Sequence, residues 1–140
     1  MTPDRRPVTE ALVAFLATAT GKPVGRATAP LGVDGTPAAP PFAVVYPLPG
    51  GDTWGPVYDA PDAGAQLPYQ VTSVGLRADQ AEWLADKVRQ AMLGRTNGAL
   101  TPLVVSGVTV LDRSITGYGG AVVDGDVVSV PDSYLVHVTV

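Results

Sequence analysis

Tyr69-Gln70-Val71-Thr72-Ser73-Val74-Gly75 runs without a break into Leu76-Arg77-Ala78-Asp79-Gln80-Ala81-Glu82-Trp83-Leu84-Ala85-Asp86-Lys87-Val88-Arg89-Gln90-Ala91-Met92-Leu93-Gly94. The first seven residues alternate, with Tyr69, Val71 and Ser73 on one face and Gln70, Thr72 and Val74 on the other, and their β-branched and aromatic content predicts a strand. From Gln80 the period changes. Gln80, Trp83, Leu84, Lys87, Val88, Ala91 and Met92 recur at steps of three and four, the pattern of an amphipathic helix. Asp79 and Glu82 stand in its first turns, where the helix dipole favours anions, and Gly94 is placed to end it in a left-handed conformation. A helix from Arg77 to Leu93 measures about 25 Å at about 1.5 Å per residue, enough to cross a small sheet.

Upstream, Pro7 suits a first helical turn. Val8, Ala11, Leu12, Phe15, Leu16 and Ala19 then form one apolar stripe that stops at Gly21 and Pro23. A short strand is expected around Val24 to Thr28, followed by an irregular Pro/Gly/Ala-rich connection from Ala29 to Pro41. Phe42 to Tyr46 reads as a well-buried strand ended by Pro47 and Pro49. Gly50 to Pro68, with Trp54, Tyr58 and several acids, glycines and prolines, reads as a long hairpin loop leading into the Tyr69 strand, and loops of that length are usually functional or disordered. Downstream of the second helix, Val104 to Leu111 is β-branched with a bulge or bend at Ser106-Gly107. Asp124-Gly125 marks a hairpin between Ala121-Val122-Val123 and Val127-Val128. Tyr134, Val136, Val138 and Val140 alternate with Leu135, His137 and Thr139 in a terminal strand. The expected fold class is α+β, a mixed, mostly antiparallel sheet with two helices packed on one face, in a single domain over residues 1–140.

With 140 residues the chain can bury a core without metal or disulfide support. Charged residues make up only 16%, below the usual quarter, so part of the surface is expected to be covered by partners. There is no cysteine, which removes thiol nucleophiles and thiolate metal sites. A net charge of −4 with scattered basic residues argues against a nucleic-acid binder. No apolar run reaches membrane-spanning length and the start lacks the pattern of a signal peptide, so synthesis in the cytosol is expected.

Chemistry is sparse. His137, the single histidine, lies in the terminal strand and reads as an ordinary strand residue without a nucleophile beside it. Asp59, Asp62, Asp124, Asp126 and Asp132 read as turn acids that support the backbone locally rather than as a glycosidase pair or a calcium loop. Gly117-Tyr118-Gly119-Gly120 has neither the lysine nor the following helix of a phosphate loop. Ser106, Ser114, Ser129 and Ser133 lack nucleophile-elbow spacing. Trp83 reads as a core anchor, with a subunit contact as the second reading. Trp54, in a loop with little local core, either folds back or anchors a partner. No catalytic residue, cofactor or metal site is expected.

The Tyr69 to Arg89 segment resembles the centre of tail terminator proteins of long-tailed bacteriophages, especially those of actinobacterial hosts. Val44-Val45-Tyr46-Pro47-Leu48 with the later Gly55-Pro56 step, and Ser129-Val130-Pro131-Asp132-Ser133-Tyr134 before a last strand, fit the same pattern. The resemblance implies a virion protein that acts without catalysis, as a homo-oligomeric, typically hexameric ring at the head-proximal end of the tail tube. One ring face would bind the last ring of tail tube protein. The other would stop polymerisation and receive the neck or head-completion protein. DNA would pass through the lumen without specific binding, and no membrane is involved; separately, the net charge of −4 motivates the expectation of a carboxylate-lined lumen that repels DNA. Trp54, Tyr58 and Asp59 of the long loop, with Tyr118, Asp124 and Asp126 of the Gly117 to Asp126 segment, are expected to contact subunit or tube partners. The alternatives are a neck adaptor or head-completion protein and, from another class, a small hydrolase or carbohydrate-binding module.

Overall fold

The computed structural model describes residues 3–54 and 64–140. In chain order the elements are α1 (Arg5–Thr20), β1 (Val24–Arg26), β2 (Phe42–Pro47), β3 (Thr53–Trp54), β4 (Gly64–Gly75), α2 (Ala78–Leu93), β5 (Arg95–Thr96), β6 (Ala99–Leu100), β7 (Thr109–Gly117), β8 (Val122–Asp124) and β9 (Val127–Thr139). The fold is α+β. Its main sheet runs β1-β2-β4-β9-β7, with β3 also on β4 and β8 also on β9, while β5 and β6 form a separate hairpin. β1 pairs parallel with β2 and the other pairs of the main sheet are antiparallel.

Both helices lie on one face of this sheet. α1 offers Val8, Leu12 and Leu16, and α2 offers Leu84, Val88 and Met92, to Ala65, Leu67, Tyr69 and Val71 of β4 and Tyr134, Val136 and Val138 of β9. A second group joins Ala81 and Ala85 of α2 to Val128 and Val130 of β9. The strand alternation expected at Tyr69, Val71 and Ser73 holds, since all three are buried. Burial of this apolar surface, at about 25 cal/mol per Å², supplies the main stabilising term.

Four expectations need correction. The buried stripe of α2 is Ala81, Leu84, Ala85, Val88 and Met92, so Trp83 is 43% exposed and is not a core anchor. Gly94 is extended (φ −64°, ψ 147°) instead of left-handed. Glycine is required there for another reason, because a Cβ would stand 2.3 Å from the Gln90 carbonyl oxygen as the chain leaves α2 for β5. The left-handed cap expected of a glycine is instead found on α1, at Gly21 (φ 70°).

The third and fourth corrections concern proline. β4 begins at Gly64 and β9 at Val127, so Pro68, expected in the loop, and Pro131, expected ahead of the last strand, lie inside the two longest strands although proline offers no ladder donor. Each falls opposite a gap between two shorter neighbours. Pro68 faces the break between β2 and β3, and Pro131 the break between β7 and β8. A glycine fills each gap at close range. A Cβ on Gly51 would meet the Gln66 oxygen at 2.0 Å and Pro68 Cδ at 3.0 Å, and one on Gly119 would meet the Pro131 oxygen at 1.6 Å and Pro131 Cδ at 2.8 Å. The proline nitrogen therefore points where no ladder hydrogen bond is required.

Candidate functional site

Polar contacts inside the helix layer fix the connections that carry the exposed loops. Asp132 is not a turn acid. It sits on the helix-facing side of β9, 1% exposed. Its Oδ1 accepts hydrogen bonds from the Gly119 N–H at 2.9 Å and from Arg89 Nη2 at 3.1 Å. Its Oδ2 lies 2.9 Å from Arg89 Nε, close enough for ion pairing but out of line for a hydrogen bond. Arg89 also stacks 4.7 Å from the centre of the Tyr118 ring. Burial works against its charge, but the hydrogen bond to Asp132 and the nearby carboxylates outweigh that and hold the guanidinium above its ordinary basicity. One node thus ties α2, β9 and the Gly117–Ala121 linker together. Tyr134 stands beside it with a buried hydroxyl that has no hydrogen-bond partner, and burial, with Asp132 nearby, pushes its ionisation well above the usual tyrosine range.

At the other end, the Arg5 guanidinium donates to the Leu48 carbonyl at 2.6 Å and to the Pro68 carbonyl, and lies 4.7 Å from the centre of the Tyr69 ring. The Tyr69 and Thr9 hydroxyls are 2.7 Å apart. An open cleft of about 510 Å³ lies between the β5–β6 hairpin, the 101–103 segment and β7. Its wall includes Arg113, which is 3% exposed, donates to the Thr101 carbonyl and packs 5.1 Å from the centre of the Phe15 ring. Burial lowers its basicity, partly offset by Asp112. Its role is to pin the 101–103 segment to α1, and Arg95 and Asp112 also line the cleft.

The faces available to partners follow from strand phase. Among the described strands of the main sheet, Arg26 and Arg113 are the only Lys or Arg residues. Both point to the helix side, Arg26 toward Glu10 of α1 at 3.6 Å. The opposite face presents Gln66, Gln70 and Thr72 of β4, Ser129, Ser133 and His137 of β9, and Asp112 and Ser114. Phe42, Val44 and Tyr46 of β2, Pro68 and Val74 of β4 and Pro131 and Leu135 of β9 share that parity, so the face mixes hydroxyls and amides with apolar side chains, and its strands carry no Lys or Arg.

Of the residues expected to meet partners, Tyr118 is 71% exposed, and Asp124 and Asp126 are exposed at the β8–β9 hairpin beside Val122 and Val123. Tyr58 and Asp59, with Asp62, the Gly55-Pro56 step and the side chain of Trp54, lie outside the described residues. The expected loop from Gly50 to Pro68 is shorter than read, since Thr53–Trp54 and Gly64–Pro68 belong to strands. Sequence reasoning missed the flank of Trp83, whose ring has Lys22 Nζ and Lys87 Nζ each 5.9 Å from its centre. Lys87 at i+4 is the local signal, and a subunit contact is the second sequence reading of Trp83, but Lys22 lies 61 positions away and leaves no local trace. Among the described residues no three His, Asp or Glu side chains gather to hold a metal, and no helix is long and apolar enough to cross a membrane.

No family model and no curated protein matches the sequence. Two solved structures share the fold. One is a chain from the virion of a native gene transfer agent particle, with 18% identity, a TM-score of 0.57, and coverage of 92% of this chain and 84% of that one. The other, whose name states no function, has 19% identity, a TM-score of 0.60, and coverage of 97% and 93%. At such identities the likeness is one of fold, and it extends over nearly the whole of each chain.

Proposed function

We propose that this chain is a structural protein of a phage-like virion, and specifically a tail terminator that caps the head-proximal end of the tail tube as a ring. The observation that carries the reading is the shared fold with a chain of a gene transfer agent virion, joined to the resemblance of Tyr69–Arg89 and its flanks to tail terminators. The surface chemistry is consistent with assembly by shape. Large apolar side chains are exposed at the edges, at Tyr118, Val122, Val123 and Trp83, and such anchors are characteristic of interfaces. A heterologous contact whose rotation closes yields a ring.

In that ring the open sheet face lines the lumen. With no Lys or Arg on its strands it offers phosphates no counter-charge, and its hydroxyls and amides keep it wetted. The test is a tube-growth assay with tail tube protein from the same phage genome. Added chain is expected to shorten tubes and to be found at one end only. Tubes of unchanged length, with the chain binding instead to the head connector, would make it a neck adaptor; binding to neither would overturn the reading.

A further inference from the structure

Two surfaces of this molecule complement one another and lie on opposite flanks. The first surrounds Trp83, which stands between Lys22 and Lys87 above a shallow depression of about 440 Å³ that also includes Pro41. Arg77 borders it but is paired with Asp79 at 3.1 Å. Asp86 is paired with Arg89 at 2.7 Å, while Glu82 adjoins the ring on α2, so the two lysines leave this surface a net positive charge of about one. Lys22 precedes β1 and Pro41 precedes β2, which places this surface at the β1–β2 end of the strand order.

The second is the β8–β9 hairpin, where Asp124 and Asp126 are exposed and Val122 and Val123 stand 51% and 76% exposed. From Ser114 to Pro131 the chain has no Lys or Arg, so nothing in the hairpin neutralises its acids. β8 lies on the far side of β9 from β4, away from the β1–β2 end. Both surfaces nonetheless share the same end of the strands in height. Gly75, where β4 gives way to α2, pairs with Val128, two residues past the hairpin tip.

We infer that the acidic, valine-bearing β8–β9 hairpin of one copy docks on the Trp83–Lys22–Lys87 surface of the next copy. Asp124 and Asp126 meet the two lysines, and Val123, on the helix side of the ribbon, covers the tryptophan ring. This deepens the ring reading and rests on it, since donor and acceptor on opposite flanks at one height give a head-to-tail contact that repeats in one plane. Complementary charge sets the register, and the apolar centre supplies contact area.

The chain lends itself to a charge swap. One variant carries Lys22→Glu and Lys87→Glu, the other Asp124→Lys and Asp126→Lys; all four sites are at the surface, and circular dichroism and melting check the fold. Mass by light scattering is read at low salt for the wild type, each variant and their equimolar mixture. Where the wild type is monomeric alone, the same samples are read as amount bound per tube end. Each variant alone faces like charges and is expected to associate at least about tenfold more weakly, whereas the mixture, in which every contact is again opposite in sign, recovers wild-type association. Variants that assemble as the wild type does, or a mixture that fails to recover, would overturn the docking while leaving the ring reading intact. A wild type that neither self-associates nor binds tubes would overturn both.

Discussion

Replacing Asp132 by Asn removes a charge from the node that holds α2, β9 and the Gly117–Ala121 linker, and leaves its shape. The amide oxygen can still accept the Gly119 N–H bond, 2.9 Å in the native chain. What disappears is the charge-assisted contact with Arg89, and hydrogen bonds to charged groups contribute about 1.5–3 kcal/mol. Arg89 keeps 23% of its side chain exposed and a second contact with Asp86 at 2.7 Å, so water and Asp86 ease its loss of a partner. The expected cost is about 2 kcal/mol, below the roughly 3–5 for breaking a fully buried pair. For a chain of this length that lowers Tm by about 5–10 °C.

The converse change, Arg89→Met, strands a carboxylate that is only 1% exposed, so it is expected to cost more than Asp132→Asn. Urea unfolding of both single variants and the double variant completes a thermodynamic cycle, with an expected coupling of about 1–2 kcal/mol. Additive effects, or an Arg89→Met cost smaller than that of Asp132→Asn, would refute the reasoning.

Other expectations follow from the same contacts. Gly119→Ala places a methyl group 1.6 Å from the Pro131 oxygen and is expected to destabilise by about 3 kcal/mol or more, read by denaturant melting; a neutral outcome would show that the linker does not press on β9. Leu84→Ala should cost about 2–5 kcal/mol, while Trp83→Ala, at an exposed site, should cost under about 1 kcal/mol yet weaken self-association. Tyr69→Phe should cost about 1 kcal/mol or less in urea melts, because the Thr9 hydroxyl loses the Tyr69 contact but keeps the Arg5 carbonyl, 3.2 Å away, as its acceptor. Tyr134→Phe is expected to be neutral or stabilising, because the native hydroxyl is buried without a partner. It should also reduce alkaline sensitivity. A tyrosine whose folded ionisation is raised contributes stability that is full below its unfolded value near 10 and is lost above it, so the native chain, more than the variant, weakens in melts above about pH 10.

The change of period between Val74 and Gln80 made the central unit readable, because two-residue alternation and a helical stripe are local signals. The face of α2 was less readable for a physical reason. A large aromatic reads as a stronger core anchor than Ala81 or Ala85, but α2 crosses β9 closely at Val128 and Val130, where small side chains fit and an indole does not. Pro68 and Pro131 are expected outside strands, and a proline's cost inside one depends on what lies beside it; sequence does not show that both face gaps. The Arg89–Asp132 pair spans 43 positions and leaves no local trace. Its one sign was phase, since Val128, Val130, Asp132, Tyr134 and Val136 all fall on the inward parity of β9, and an acid among them demands a cation. Of the six residues expected to meet partners, Tyr118, Asp124 and Asp126 were legible as exposed because glycine-rich turns leave side chains outside.

Strand parity also governs the proposed role. In a sheet covered on one side, each residue's position in the two-step alternation decides whether its charge is used internally or shown outside. Arg26 and Arg113 fall on the covered side and are taken up by Glu10 and by the Thr101 carbonyl and Phe15 ring, whereas Asp112 falls on the open side. Shifting β7 by one residue would turn Arg113 outward and put a cation where the lumen is proposed. The bulge between Val110 and Asp112 sets that register against β9. It presents Asp112 opposite His137 on the open face and Arg113 opposite Val136 on the covered one, so a backbone irregularity fixes the sign of the surface that passing DNA would meet.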